Sequence, residues 1–317
     1  MRRSVARLVC AVCAVCAVAA AADRKPFGVG VLRRDGILIP FASFDGRQWR
    51  RSWTPPSPDV AIPINVTSVP SDWWGKTGPL EEWQAWIGST PRTIRVTQPD
   101  ALEVRCPMAA APPRTTPLQV VLRTDYRADA PVPPPTALPY PKAGLAISPP
   151  QPIAPIAVLP IEGQPAREIA PALLEAFNKA ERRLESRVGH PVSKRAREGR
   201  DPTIEAFYAF GDSPRYFYVE ATRGYRELGD NGCSALAWGT GWFVRDAKGY
   251  RSLETVVDLL NCDRFHASYM LPLGAIAIGD HLYWLAQFSG WDHERYVVID
   301  LTPKNAEAVV SAYGGGC

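Results

Sequence analysis

The chain has little of what most soluble enzymes advertise. Histidine occurs 4 times in 317 residues, and neither His-Glu-x-x-His nor any other compact metal-ligand spacing is present, which argues against a zinc hydrolase. A Gly-x-Ser-x-Gly elbow is missing, so the serine nucleophile of an α/β-hydrolase has no seat. Past the first 22 residues no apolar run reaches the roughly 18 residues of a membrane helix. Charge of one sign is also scarce: the net is only +4, part of it from arginines at the start, which gives no electrostatic case for nucleic acid or an anionic membrane. No fixed repeat period recurs either, which excludes a regular repeat array.

What is present begins with an address. Arg2, Arg3 and Arg7 precede an apolar run from Leu8 to Val18, and Ala19 to Ala22 then give way to Asp23-Arg24-Lys25. A basic start, a short apolar middle and small residues before a charged boundary predict a secretory signal peptide over residues 1–22. Residues 23–317 are then expected to form a single β-rich domain, periplasmic or secreted, with a proline-rich loop region at about 107–165. Abundant arginine, alanine and proline beside little lysine fit a bacterial origin. Four cysteines follow the signal: Cys106, Cys233, Cys262 and Cys317. An exported chain with an even number favours disulfides, expected here as Cys233 with Cys262 and Cys106 with Cys317. None of the four forms a Cys-x-x-Cys pair, which argues against a thiolate metal site.

The rest reads as hairpins. Phe27–Trp49 carries a turn at Asp35-Gly36, and Pro40 marks its second strand as an edge or bulged strand. Leu80–Ile87 fits helix or strand, Arg92–Arg105 a strand pair turning at Gln98-Pro99-Asp100, and Leu118–Thr124 a compact strand. One long surface helix is expected at about 165–188, where Leu173, Leu174, Phe177, Ala180 and Leu184 make a single apolar face and Glu181 and Glu185 fall among arginines on the other. After a basic loop at Ser193–Arg200, β runs resume through a meander at Gly274–Leu301, and Asn305–Ser311 suggests a short second helix. Irregularly spaced hairpins beginning at Gly28, Gly241 and Gly274 favour an irregular β-propeller over a β-sandwich or barrel.

Function rests on that terminal meander. Flat rings beside paired carboxylates are what a glycan site needs, one carboxyl as acid and the other as base or nucleophile. The candidate catalytic carboxylates are Glu220, Asp292, Glu294 and Asp300; the candidate ligand-binding aromatics are Trp284, Trp291 and Tyr296, with Trp238 and Trp242 nearby. His266, His281 and His293 lie in the same region, but their spacing points to turns rather than to a metal site, and no cofactor is implied. The preferred expectation is an exported non-catalytic binding or structural module on a disulfide-braced β scaffold, taking a ligand or an envelope partner, with carbohydrate among the candidates. A carboxylate-dependent hydrolase acting on glycans is the alternative.

Overall fold

A computed structural model describes residues 25–51, 82–88, 90–102, 119–129, 131, 140–225, 235–290 and 293–316. The expected signal peptide, Trp291, Asp292 and three of the four cysteines lie outside these residues, and with them both expected disulfide pairings; Cys262 itself is disulfide-bonded.

The N-terminal part is a closed barrel. Strands β1 (Phe27–Arg33), β2 (Ile37–Phe44), β3 (Trp49–Arg51), β4 (Glu82–Ile87), β5 (Thr90–Leu102), β6 (Gln119–Thr124) and β7 (Lys142–Ser148) are antiparallel in the order β1-β7-β4-β5-β6-β2-β3. Because β1 also pairs with β2, six of them close on themselves and β3 continues one end of β2. Side chains fill the interior: Leu32, Leu38, Trp83, Ile94, Val96 and Leu122 form one buried cluster. Gly28 and Gly30 share the inward face of β1 with Leu32. A Cβ at Gly28 would come within 3.2 Å of the Trp83 ring, and one at Gly30 within 2.8 Å of the Leu38 side chain, so both positions leave room for their neighbours. Pro40 is tolerated at a bulge, where Gly30 pairs with Pro40, Val29 with Ala42, and Phe41 is left over. On the far side of β2, β6 reaches only Ile37 and Leu38 and β3 begins at Ala42, so the missing N–H at Pro40 breaks no ladder.

The middle of the chain builds a five-stranded sheet and its helix. Strands β8 (Ala157–Val158), β9 (Thr203–Phe210), β10 (Arg215–Tyr225), β11 (Ala235–Asp246) and β12 (Gly249–Leu260) run in the order β12-β11-β10-β9-β8. One face receives helix α1 (Gln164–Val188), whose Ile169, Leu173, Phe177, Ala180 and Leu184 pack on Phe207, Phe217, Val219, Ala237 and Val257. A Cβ on Gly239 would run into the Phe177 ring, so that glycine sets how closely the helix approaches. The basic segment forms a short helix α2 (Lys194–Arg197), and Arg197 clamps Glu185 of α1 through bonds of 2.9 and 2.6 Å.

The last four strands, β13 (Tyr269–Ile278), β14 (His281–Ser289), β15 (His293–Leu301) and β16 (Ala306–Gly316), form an antiparallel sheet in chain order, and it is covered on both faces. Ile276, Tyr283, Leu285, Tyr296 and Val298 meet Val29, Ile39 and Phe44 on the outside of the barrel. Ala275, Trp284, Ala286, Val297 and Ile299 meet Tyr216, Tyr218, Trp242 and Val244 of the five-stranded sheet. The layers are therefore helix, five-stranded sheet, four-stranded sheet and barrel.

The mainly antiparallel β architecture and the long helix agree with the sequence reading, whereas the propeller does not. The hairpins share no central axis: seven strands pair into the barrel sheet and nine into two stacked sheets. Gln98-Pro99-Asp100 is no turn, because β5 runs straight through it with a register shift between Val96 and Gln98. Asn305–Ser311 belongs to β16 rather than to a helix. There Val298 pairs with Val310 and Ile299 with Ala308, leaving Val309 extra. That bulge spaces the buried Ala306 and Val310 four apart, which imitates a helical face.

Candidate functional site

The structure gives each described candidate carboxylate its own surroundings. Cross-strand pairs Ser289–Glu294, Gln287–Tyr296 and Tyr283–Asp300 put Glu294 and Asp300 on the barrel side of the four-stranded sheet, six residues or about 20 Å apart along β15. Glu220 belongs to β10, on the opposite side of that sheet. Glu294, 4% exposed, accepts the Tyr140 N–H at 3.1 Å, the Tyr296 hydroxyl at 3.0 Å and Lys142 Nζ at 2.8 Å. Lys142 also donates to the Tyr140 carbonyl, and burial lowers its pKa against the pull of Glu294. Arg33 lies 3.7 Å over the Tyr140 ring and pairs with Asp35 at 2.6 Å. This network ties the barrel wall to the sheet. Asp300 holds His281 Nδ1 at 2.9 Å, and that imidazole stacks on Tyr283. His266 stands exposed on the loop after β12, and among the described residues no three His, Cys, Asp or Glu side chains gather as a metal site.

The aromatic candidates are interior residues. Trp284 is fully buried and stands edge-on to Trp242, with ring centroids 5.0 Å apart; Tyr296 is fully buried beside Phe41. Neither can offer a ring face to a ligand. Trp238 is buried against Tyr269.

Glu220 marks the more capable place. It is 3% exposed, between the two sheets, and its Oε1 accepts the Met270 N–H at 2.6 Å. Burial pushes its pKa up to about 7, with that N–H opposing and the charge of Glu205 adding to the rise. Glu205 was not singled out by sequence reasoning. It accepts the Thr222 hydroxyl at 2.7 Å and a two-pronged Arg264 at 2.6 and 2.8 Å, from a backbone position with φ of 60°, unusual for a residue with a side chain. The only prior signal for it is a lone acid one residue before a β run.

Next to Glu220 a cleft of about 290 Å³ opens between the two sheets. Tyr218, Thr240 and Trp242 of the five-stranded sheet form one wall, and Phe288, Arg295 and Val297 of the four-stranded sheet the other. The Tyr218 hydroxyl is buried beside Thr240 and Glu220 without a well-formed hydrogen bond to either, and burial raises its pKa well above the ordinary phenol value, with Glu220 adding to the rise. Arg295 is exposed, with its guanidinium 5.6 Å from the Phe288 ring. The cleft thus combines apolar walls, a buried phenol donor and a cation at its mouth.

A second buried cluster escaped the sequence reading, which placed Glu181 on the solvated face of the helix. Glu181 is 5% exposed. It is gripped by Arg223 at 2.8 Å, by the Tyr225 hydroxyl and by His190 Nε2 at 3.3 Å. His190 Nδ1 lies 3.0 Å from the Val192 backbone nitrogen and 3.1 Å from the Val192 carbonyl, which holds the ring with Nε2 facing the carboxylate. These groups fasten α1 to β10.

Comparison with protein-family models, with curated proteins and with solved structures finds no match to this chain.

Proposed function

We propose that the chain is an exported, non-catalytic binding module on a disulfide-braced β scaffold, acting in the periplasm or outside the cell, and that its ligand enters the cleft between the two sheets. One observation carries this reading: the Tyr218 hydroxyl, buried without a well-formed hydrogen bond, lines a cleft together with Trp242, Phe288 and Arg295, and with Glu254 as its one acid. A buried donor without an acceptor costs free energy, and a ligand oxygen would recover it. The ligand class that fits is a single ring compound bearing an anionic group: its face rests on the apolar walls, an oxygen accepts from Tyr218, and the anion meets Arg295. An acidic monosaccharide has those features.

Titration of the protein with glucuronate, followed by tryptophan fluorescence and calorimetry with glucose as the neutral control, tests this. Saturable binding of glucuronate is expected, weakened about tenfold in Tyr218→Phe and in Arg295→Gln. Tyr218→Phe should keep or raise thermal stability, because the lost hydroxyl has no partner to leave behind. No saturable signal, or wild-type affinity in either variant, refutes the site.

A hydrolase acting on glycans has one observation in its favour, the Glu220 carboxyl poised at about 7 beside the Arg264-held Glu205. It would need Glu220 to reach a substrate, while Oε1 is committed to the Met270 N–H. Turnover of an aryl glycoside that disappears in Glu220→Gln would establish it.

A further inference from the structure

A second cavity lies elsewhere, on the helix side of β12. It measures about 590 Å³ and runs between α1 and the outer edge of that strand. Two features give it a direction and a charge. First, β12 is the terminal strand of its sheet and pairs only with β11, so its other edge offers backbone donors and acceptors that no described strand takes up. Arg183 Nη2 reaches the Thr255 carbonyl at 3.0 Å, which places that side chain at the open edge. Second, Lys179, Arg183 and Arg187 follow one another at four-residue intervals along the helix wall, all exposed. Lys179 and Arg187 have no ion pair among the described residues. The acidic members of the lining are Glu175, one step before Lys179 on the same stripe, and Glu254 on the strand. Arg251 is already engaged by Asp246 and the Pro303 carbonyl. The stretch from Lys179 to Arg187 is therefore a row of cations facing an open β edge.

The spacing fits one kind of occupant. Four residues of helix rise about 6 Å. Alternate side chains of an extended strand stand about 6.6 Å apart. A strand laid along β12 would thus present every second side chain to successive members of the cationic row. We propose that this groove binds an extended acidic segment of a partner protein by strand addition to β12, with alternate Asp or Glu side chains meeting Lys179, Arg183 and Arg187. Main-chain hydrogen bonds supply affinity, and the charge row supplies register and selectivity. The site lies across β12 from the small-molecule cleft and does not depend on it.

Fluorescence anisotropy with a labelled nine-residue peptide alternating Glu and Thr tests the inference. The controls are the Lys–Thr counterpart, a scrambled peptide of the same composition, and the alternating peptide N-methylated at every second amide, in either phase. Saturable binding is expected for the alternating acidic peptide only. It should weaken about tenfold in Lys179→Glu/Arg187→Glu, whose exposed side chains hold no structural contact, while the melting temperature and glucuronate binding stay unchanged. One phase of N-methylation should abolish binding and the other be tolerated, since only alternate amides face the ladder. Equal binding of the scrambled peptide, or indifference to both phases of methylation, would mean diffuse charge attraction and would overturn strand addition. Absence of binding at low salt would overturn the site altogether.

Discussion

Replacing Glu220 by glutamine should make the protein more stable, and only above a definite pH. The side chain is 3% exposed between two sheets and keeps its proton up to about pH 7, against 4.5 for an ordinary glutamate. Between those values the folded state binds a proton that the unfolded chain has released, so stability falls as pH rises through the window from 4.5 to 7. Above 7 the whole penalty is present; below 4.5 it vanishes. Its size is about 3 kcal/mol, at about 1.4 kcal/mol per pH unit. Glutamine keeps the shape and an acceptor for the Met270 N–H but carries no charge. Glu220→Gln should therefore melt within about 2 °C of wild type near pH 4.5, and about 5–10 °C higher at pH 8.5, for a domain of this size. Neighbouring ionisable groups, Glu205, Arg264, Tyr208 and Tyr218, are the same in both proteins and cancel in the comparison. Calorimetric scans from pH 4.5 to 8.5 give the measurement. A constant offset at every pH, or a wild type more stable above pH 7, would refute the claim that burial governs this carboxyl.

Lys142→Met strands the buried Glu294 without its cation and should cost about 3–5 kcal/mol in urea unfolding, while Lys142→Met with Glu294→Leu should recover most of it. Gly239→Ala places a methyl in the Phe177 ring and should cost about 1–3 kcal/mol, relieved when Phe177→Leu is added; an unchanged midpoint would show that the helix can lift. Cys262→Ser removes a disulfide and should cost about 2–4 kcal/mol, leaving one additional reactive thiol in the native protein. Peptide mapping of wild type should place the Cys262 bridge on Cys233, the pairing we favour; a bridge to Cys106 or Cys317 would reject it.

Local rules proved readable wherever a single face or a single turn decides. The apolar stripe from Leu173 to Leu184 and the stop at Gly189 located α1 almost to the residue, and Gly36 takes the positive φ of 82° that its turn requires. Failures came where one residue was added or one layer unseen. The extra Val309 in β16 turned a strand period into a helical one. Glu181 stands among Arg182, Arg183 and Arg187 in the sequence, yet the helix rotates it inward to Arg223, a partner 42 residues away. Closure of the barrel depends on β1 meeting β7, a pairing across more than 100 residues that no local pattern announces.

The same geometry explains where the polar side chains of the meander sit. Its strands are covered on both faces, and a charged group inside such a sheet is costly unless paired. Glu294 is held by Lys142 and Asp300 by His281, while Gln287 donates to Ser289 and leaves its Oε1, like Trp284 Nε1, buried without a hydrogen bond. The density of chemically capable side chains between His281 and Asp300 therefore reflects the cost of burying polar groups, and alternation along β15 keeps its acids apart from Glu220. Openings form where layers end instead. Two cavities touch β12, one on each side, with Glu254 and Val256 in both linings. Among the described residues that strand has a single neighbour and an uncovered edge, so polar side chains around it keep access to water at little cost. On the reading proposed above, both ligands enter beside this terminal strand, and the four-stranded sheet packs against Tyr218 and Trp242 and holds them in place.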